Sequence, residues 1–412
     1  MIIQDIVFVE GVTGFFFDDQ PAVKSGAQKD GFFYKGRPST QGFDSIRMPG
    51  ECVSVGIRPG NGIFAFGDCC AVQYSGAGGR DPVFRAAEYM PFLERKVKPA
   101  LRGREFSGFR EACKYINNMR FNDSRLHTAI RYGLSQALLA AFAVDERKTK
   151  AGVIAEEYGL PLKPGPVRIF GQSGDEPRIN VDKMILKRVD VLPHGLINSI
   201  DDKFGRKGEK LKEYVSWVRN RILNFRPEAT YFPELHLDVY GLAGTVFNND
   251  IGKIADYLGG LCRKAAPFNL RIEGPLDAGS RDGQIELMKK LVGAVDKKGI
   301  PVELVADEWC NTLEDIDVFS SEKAAHMLQI KTPDLGGIDS SVEAVLLCHE
   351  RNVKSYLGGT CNETEISAKI CTHLAMAVRP YQLLAKPGMG FDEGFMLVKN
   401  EMQRIVSSLN GG

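Results

Sequence analysis

The sequence predicts an α/β protein in which a C-terminal (β/α)8 barrel of the TIM type follows an N-terminal α+β capping domain. Three observations predict it: eight short apolar strand segments recur after residue 165, helix-like segments separate them, and the first 160 residues lack this alternation. The strand segments read VRIFGQ, DVLPHGLIN, LHLDVYG, NLRIEGP, VELVADE, MLQIKTP, VKSYLGG and QLLAKPG. A doubly wound open sheet is the alternative, and it would hold its ligand at one switch point.

The segments between the strands have the apolar spacing of amphipathic helices. Two stripes are clear: Leu211, Val215, Val218 and Ile222 in one, and Ile285, Met288, Val292 and Val295 in the other. Such stripes are typical of the outer helices of a barrel, which cover the strands on one side only.

The N-terminal part mixes strand and helix signals. ECVSVGI, RPGNG and IFAFGD predict a hairpin with a glycine-rich turn, and residues 126–146 predict a buried helix. LPLKPGPVRIF carries three prolines and a glycine. We therefore expect a domain boundary near residue 160, with a capping domain at 1–160 and the barrel at 161–412.

Composition narrows the class of protein. The 412 residues are 43% hydrophobic and 25% charged, which is typical of a globular protein. The net charge of +1 produces no broad electrostatic attraction to nucleic acid or anionic lipid. The sequence has no apolar run of about 18 residues, and its start, MIIQDIVFVEG, does not read as a signal peptide. Nine scattered cysteines without a Cys-x-x-Cys pair argue against a disulfide framework or a zinc ribbon. A cytoplasmic protein with no membrane partner is expected.

In a barrel of this type the active site lies at the C-terminal ends of the strands, so the polar residue that ends each strand is informative. In chain order these residues are Gln172, His194, Asp238, Glu273, Asp307, Lys331 and Tyr356, followed by the end of LLAKPG. Three consecutive strands end in a carboxylate, and three such charges repel strongly unless a cation lies between them. An all-oxygen set suits a hard ion such as Mg²⁺. Glu308 follows Asp307, but successive strand residues face opposite ways, so it is not expected to be a ligand.

Lys331 and His194 would flank this metal centre. A lysine beside a divalent cation is disfavoured as an ammonium, so we expect the pKa of Lys331 to fall toward that of a useful base. His194 would lie across the ring from Lys331. Without such a ring, this histidine would be interpreted as a buried core residue. Together they suit proton abstraction next to a carboxylate, with a metal stabilising the enolate.

Longer motifs then resemble a known family. They are GFFFDDQPA, AVQYSGAGGRDP, RLHTAIRYG, LHLDVYG, RIEGP, LVADEWCNT, QIKTPDLGG, GGTCNET and LAKPGMG. Over nearly the whole chain the sequence resembles the methylaspartate ammonia-lyases of the enolase superfamily. The resemblance implies an enolase-like fold and reversible elimination of ammonia from threo-3-methyl-L-aspartate to give mesaconate.

The resemblance also implies roles for residues. It places Mg²⁺ on Asp238, Glu273 and Asp307, makes Lys331 the base for the C3 proton, and gives His194 a role on the opposite face that would explain reaction of the erythro isomer. The substrate-binding residues it implies are Gln172, Gln329, Thr360, Cys361, Gln73, Phe170, Tyr356 and Leu384. It further implies a small amino diacid as substrate, activation by K⁺ and a homodimer.

Some of these roles have a physical basis in the sequence. Gln329 precedes Lys331 by two residues and so shares its face of the strand. Gln172 could donate to a carboxylate without adding charge. Cys361 is expected to be a polar contact and not a nucleophile, and Lys386 to form a structural ion pair in preference to a substrate contact. SGAGGRDP lacks the Gly-Lys-Ser/Thr of a phosphate loop and is expected to be a flexible capping loop.

Three alternatives stay open at this stage. The first is another enolase-superfamily reaction, by a racemase, epimerase, cycloisomerase or dehydratase, on a different carboxylic acid, since these share the enolate step. The second is a metal-free Schiff-base lyase or aldolase that uses Lys331 as a nucleophile, which leaves the three carboxylates without a purpose. The third is a non-catalytic binding protein, which would be expected to lack a ligand or the base.

Overall fold

The computed structural model describes residues 1–60 and 62–410. In the N-terminal part the strands are β1 (Asp5–Asp18), β2 (Gln28–Asp30), β3 (Phe33–Lys35), β4 (Arg47–Arg58), β5 (Ala65–Cys69), β6 (Arg120–Phe121) and β7 (Ser124–Arg125). The helices of this part are α1 (Gln20–Lys24), α2 (Ala86–Phe92), α3 (Lys98–Leu101), α4 (Phe109–Asn118), α5 (Thr128–Asp145) and α6 (Lys150–Glu157). A π-helical segment, Leu93–Val97, joins α2 to α3.

An antiparallel sheet in the order β1-β4-β5 packs against α5. The predicted hairpin is confirmed as β4 and β5, although its turn includes Asn61, which lies outside the described residues. The predicted buried helix is confirmed as α5. Two glycines let the helix approach the sheet: a Cβ on Gly133 would lie 2.6 Å from the backbone nitrogen of Cys69, and one on Gly67 would lie 2.4 Å from that of Ala137.

Eight parallel strands form the C-terminal part. They are β8 (Arg168–Phe170), β9 (Val191–His194), β10 (Glu234–Asp238), β11 (Leu270–Glu273), β12 (Val302–Ala306), β13 (Met327–Ile330), β14 (Lys354–Leu357) and β15 (Gln382–Leu384). They close into a barrel in chain order, with Leu384 of β15 paired with Phe170 of β8. All eight predicted strands are confirmed, and the closed ring excludes the open sheet.

The barrel helices are α7 (Pro177–Leu186), α8 (Glu209–Phe225), α9 (Leu242–Val246), α10 (Ile251–Ala265), α11 (Arg281–Lys297), α12 (Leu313–Ser321), α13 (Thr332–Leu335), α14 (Ile338–Glu350), α15 (Glu365–Val378) and α16 (Phe391–Asn410). A second π-helical segment, Ile200–Phe204, precedes α8. The predicted stripe on α8 is buried, and on α11 Ile285 alone of the four is half-buried. Among the described residues no helix is both long and apolar enough to cross a bilayer.

The barrel interior is filled by side chains. Along β10 the side chains alternate, so that Leu235 and Leu237 pack in the hydrophobic core while His236 and Asp238 are buried polar residues. The apolar layer inside the ring consists of Phe170, Val191, Val305, Met327, Tyr356 and Leu384. The predicted boundary near residue 160 lies in the segment between α6 and β8, and the division into 1–160 and 161–412 stays a prediction.

Candidate active site and metal centre

Three carboxylates meet at the C-terminal ends of neighbouring strands. Asp238 ends β10, Glu273 ends β11 and Asp307 follows β12, and one oxygen of each lies within 4.8 Å of the others. Burial raises the pKa of all three carboxyl groups, and the charge of Asp307 raises that of Asp238 further. Charged forms of all three would be costly without a compensating cation. The donor set, carboxylate oxygens alone within reach of one point, fits Mg²⁺.

Hydrogen bonds orient two of these carboxylates. The Tyr356 hydroxyl donates to Oε1 of Glu273 across 2.7 Å, and Nε2 of His236 lies 2.9 Å from Oε2. Oδ1 of Asp238 accepts from the backbone N–H of Tyr240 at 3.1 Å. These contacts hold the oxygens in place in the way that the surroundings of metal ligands commonly do.

Lys331 follows β13 directly and lies beside the carboxylates. Its Nζ is 2.5 Å from Oδ1 of Asp307. Burial lowers the pKa of Lys331, but the charges of Asp307 and Glu308 outweigh burial, so the pKa lies above its ordinary value. This differs from the lowered pKa predicted above, which assumed that a cation neutralises Asp307.

Arg80 reaches into the same site from the capping loop. Its Nε lies 2.8 Å from Oδ2 of Asp334, and its Nη2 lies 3.8 Å from Oε2 of Glu308. Glu308 lines the cavity beside Asp307 because β12 has already ended at Ala306, so strand alternation no longer separates the two side chains. Glu308 is outside the cluster of three carboxylates.

His194 stands opposite Lys331. It ends β9, and four strand positions separate β9 from β13 in the eight-stranded ring, which puts them on opposite sides. The backbone of His194 is left-handed, with φ of 66°, and so are the next two residues, Gly195 and Leu196. Such a turn is strained for residues other than glycine, and strain of this kind is concentrated at functional sites. Burial, helped by the charges of Lys331 and Lys203, lowers the pKa of His194 to about 4, so its imidazole is neutral at pH 7.

One cavity collects most of the predicted site residues. Its lining includes Gln73, Gln172, His194, Asp238, Asp307, Gln329, Lys331, Thr360, Cys361 and Leu384. Phe170 and Tyr356 belong to the fully buried layer inside the barrel and lie outside this lining. Tyr356 still bears on the site, because its hydroxyl accepts from Gln329 and donates to Glu273.

The other two glutamines of the cavity, like Gln329, have N–H groups engaged. Gln73 donates from Nε2 to Oδ2 of Asp18 at 2.7 Å, and its Oε1 accepts from the Cys361 thiol at 3.3 Å. Gln172 donates from Nε2 to the carbonyl oxygens of Gly388 at 2.6 Å and Ala385 at 3.5 Å. Gln172 therefore offers its carbonyl oxygen for further bonding, whereas the sequence suggested a donor.

Cys361 and Lys386 are both buried. Burial raises the pKa of the Cys361 thiol, which disfavours the thiolate that a nucleophile requires. Lys386 is fully buried and forms an ion pair with Glu363 at 2.9 Å, as expected for a structural role.

Arg80 and His236 contact this site but are not among the residues that the sequence predicts for it. The sequence does contain a signal for His236: it precedes Asp238 by two residues and must therefore lie on the same face of the strand. Arg80 lies in a glycine-rich loop that the sequence alone predicts only as flexible, and nothing in its spacing indicates the ion pair with Asp334.

Two family models together match nearly the whole chain. The family model described as methylaspartate ammonia-lyase N-terminus matches residues 1–159, and the C-terminus model matches residues 161–411. The chain belongs to the methylaspartate ammonia-lyase family. Methylaspartate ammonia-lyase 2 of Carboxydothermus hydrogenoformans is 55% identical over 410 residues, which cover 99% of each chain.

Solved structures in the methylaspartate ammonia-lyase family share the whole fold. The Citrobacter amalonaticus enzyme containing (2S,3S)-3-methylaspartic acid is 51% identical, with a TM-score of 0.98 over 100% of both chains. The β-methylaspartase of Clostridium tetanomorphum in its Mg complex is 50% identical, with a TM-score of 0.95, covering 100% of this chain and 99% of that one.

Proposed function

We propose that this chain is a Mg²⁺-dependent ammonia-lyase that reversibly eliminates ammonia from threo-3-methyl-L-aspartate to give mesaconate. The observation that carries the proposal is the placement of Lys331 and His194 on opposite strands of one cavity that also contains carboxylates of the cluster. Full-length identity of 55% to a methylaspartate ammonia-lyase supports the choice of substrate.

Lys331 is the base in this proposal. As the free amine its Nζ takes the proton from C3, the C3–H electron pair forms the C2=C3 double bond, and the C2–N bond breaks to release ammonia. Burial and the nearby charge of Arg80 both favour the neutral amine, whereas Asp307 favours the ammonium form.

His194 acts on the other face of the same carbon. As a neutral imidazole it can accept a proton, which suits the erythro isomer, whose C3 hydrogen faces away from Lys331.

Asp238, Glu273 and Asp307 would hold Mg²⁺. When bound, Mg²⁺ supplies positive charge that stabilises the negative charge developing on the substrate carboxylate. The protein contributes fixed ligand oxygens, since Glu273 and Asp238 are already hydrogen-bonded to their neighbours.

The substrate-binding residues are the cavity-lining Gln73, Gln172, Gln329, Thr360, Cys361 and Leu384, with Phe170 and Tyr356 beneath them. The carbonyl oxygens of Gln172 and Gln73 suit the substrate's ammonium group, because oxygen accepts from N–H. Leu384 supplies an apolar surface for the methyl group.

Chelation followed by addition of Mg²⁺ tests the function. Protein treated with a chelator should give no ultraviolet absorbance of an unsaturated diacid from methylaspartate, and Mg²⁺ should restore the signal. Asp238→Asn should lose the restored activity, whereas Asp250→Asn, at the exposed N-cap of α10, should keep it. A protein that binds Mg²⁺ but gives no absorbance change would point to another reaction of the superfamily.

The Schiff-base alternative needs its own experiment. Borohydride added during turnover should leave Lys331 unmodified, because no imine forms in a proton abstraction. Covalent labelling of Lys331 by the substrate would contradict the proposed mechanism.

Activation by K⁺, a homodimeric assembly and a cytoplasmic location complete the proposal. The family resemblance implies the first two, and the composition and cysteine content favour the third. Rates measured with K⁺ and with Na⁺ at equal ionic strength test the first. Light scattering at several protein concentrations tests the second, and cell fractionation tests the third.

A further inference from the structure

A line of buried polar groups runs inside the barrel from Glu273 toward the opposite end of the strands. His236 is fully buried, and its ring stacks on Phe170 with centroids 4.4 Å apart and an angle of 11° between the planes. Its Nε2 lies 2.9 Å from Oε2 of Glu273, and its Nδ1 lies 2.9 Å from Nε2 of Gln382. Oε1 of Gln382 in turn lies 3.4 Å from Nη1 of Arg271.

The two ends of this line determine the direction of each hydrogen bond. A guanidinium can only donate and a carboxylate can only accept. Arg271 therefore donates to the carbonyl oxygen of Gln382, which turns the amide nitrogen of Gln382 toward His236. Because that amide donates, Nδ1 of His236 is the acceptor, and Nε2 carries the hydrogen that goes to Glu273.

Both ends are also held in place. Arg271 donates from Nε to Glu303 at 2.6 Å and from Nη1 to Glu234 at 2.7 Å. At the other end the Tyr356 hydroxyl donates a hydrogen bond to Oε1 of Glu273. Each oxygen of Glu273 thus receives one donor from the protein and keeps further lone pairs for an ion.

A role in packing alone does not explain this arrangement. Burying an imidazole, an amide and a guanidinium costs more desolvation free energy than burying apolar side chains of similar size. Hydrogen bonds offset this free energy only if every polar group has a partner. The line meets that condition and ends on one of the three clustered carboxylates.

We propose that His236 is a positioning residue for Glu273, with its tautomer set by Gln382 and Arg271. His236 holds the Glu273 carboxylate in the orientation in which it ligates a divalent cation. The inference rests on the metal site proposed above, and Mg²⁺ binding by the unsubstituted protein tests that site separately.

Calorimetric titration with Mg²⁺ alone tests the positioning role. His236→Leu should weaken Mg²⁺ binding by about 10- to 100-fold, the usual effect of removing a hydrogen-bond partner of a metal ligand. His236→Gln keeps an N–H donor and should recover part of the affinity. Gln382→Leu should weaken binding in the same direction by a smaller factor, because the imidazole can then adopt either tautomer.

Gln136→Leu is the matched control. Gln136 is also a fully buried amide, but it bonds to the backbone of Asp68 in the N-terminal part. Its loss should lower the unfolding temperature without changing the dissociation constant for Mg²⁺. An unchanged constant in His236→Leu would overturn the proposal, and an equal weakening in Gln136→Leu would show a general effect of destabilisation and overturn it as well.

Nitrogen NMR of metal-free protein labelled at histidine gives a second readout, which holds even if His236→Leu fails to fold. His236 should show the neutral form with hydrogen on Nε2, identified by loss of its signals in His236→Gln. Gln382→Leu should remove this preference. A hydrogen on Nδ1 in the unsubstituted protein would contradict the proposed chain of donors. If the unsubstituted protein shows the expected tautomer but binds no Mg²⁺, the metal site fails and the positioning role fails with it.

Discussion

Nζ of Lys331 lies 2.5 Å from Oδ1 of Asp307, so the proposed base and a proposed metal ligand form an ion pair. Both side chains are largely buried, which strengthens the attraction between them. A divalent cation bound by Asp307 would compete with the ammonium for this carboxylate. Metal binding and the neutral form of Lys331 are therefore linked, and each favours the other.

His194→Ala should impair reaction of the erythro isomer more than that of the threo isomer. The reason is the position of His194 across the ring from Lys331, from which it would meet the opposite face of a substrate bound between them. The measurement is kcat/KM for both isomers. Equal losses for the two would instead make His194 a general stabiliser of the transition state.

Arg80→Met should raise KM for methylaspartate by about tenfold, the effect of losing about 1.4 kcal/mol of binding energy. Arg80 connects the capping loop to Asp334 and Asn311 of the barrel, and its loss should loosen the wall of the cavity. The effect on kcat should be smaller than that on KM. Arg206→Met, which breaks an ion pair on the surface, is the control and should change neither constant. A normal KM in Arg80→Met would show that the loop closes without this contact.

Lys386→Met should lower the free energy of unfolding by about 3–5 kcal/mol, because it leaves the fully buried Glu363 without its partner. The double variant Glu363→Gln, Lys386→Met should recover part of the loss, since no charge then remains buried. Urea unfolding followed by circular dichroism measures both. Lys290→Met, from an exposed pair with Glu286, should change the free energy by less than about 1 kcal/mol. If Lys386→Met also lowers the free energy of unfolding by less than about 1 kcal/mol, the buried pair does not have a structural role.

Glu401 should make stability depend on pH in the acid range. A hydrogen bond from His373 lowers the pKa of Glu401 to about 2, and Arg404 contributes in the same direction. Because the folded pKa is below the ordinary 4.5, the unfolded chain binds the proton first, so the stabilisation is complete above pH 4.5 and is lost as the pH falls toward 2.

The test compares the unfolding free energies of the unsubstituted protein and Glu401→Gln. Their difference should be about 1–3 kcal/mol at pH 6 and should fall by more than half by about pH 3. Glu350→Gln, at an exposed helix end, is the control and should show no such dependence. A difference that stays constant with pH would show that Glu401 does not titrate between these limits.

The barrel and its cluster of three carboxylates could be predicted because each rests on local periodicity. Strand ends in a closed parallel barrel all lie at one rim, so Asp238, Glu273 and Asp307 become neighbours without any knowledge of their side-chain conformations. Lys331 and His194 follow from the same rule.

Contacts that join distant segments could not be predicted in this way. The pairs Arg80–Asp334 and Asp18–Gln73 join segments that are far apart in sequence and share no periodic pattern. The side-chain amides of Gln73 and Gln172 are likewise oriented by hydrogen-bond partners that are distant in sequence. The expectation that Glu308 is not a ligand rested on strand alternation, which does not apply here because β12 ends at Ala306. Glu308 nevertheless lies outside the cluster of three carboxylates. His236 shared the face of Asp238, but its bond to Glu273 of the next strand depends on register.

Deamination of threo-3-methylaspartate by Lys331→Ala, at saturating Mg²⁺ and with Mg²⁺ affinity measured on the same sample, tests the central claim most directly. Lys253→Ala, an exposed lysine on α10, is the control and should react normally. If Lys331 is the base, the ultraviolet signal of the unsaturated diacid should fall below about 1% of the unsubstituted rate. Mg²⁺ should bind at least as tightly as before, since the competing ammonium is gone. Near-normal deamination with Mg²⁺ bound would contradict the assignment of Lys331 as the base.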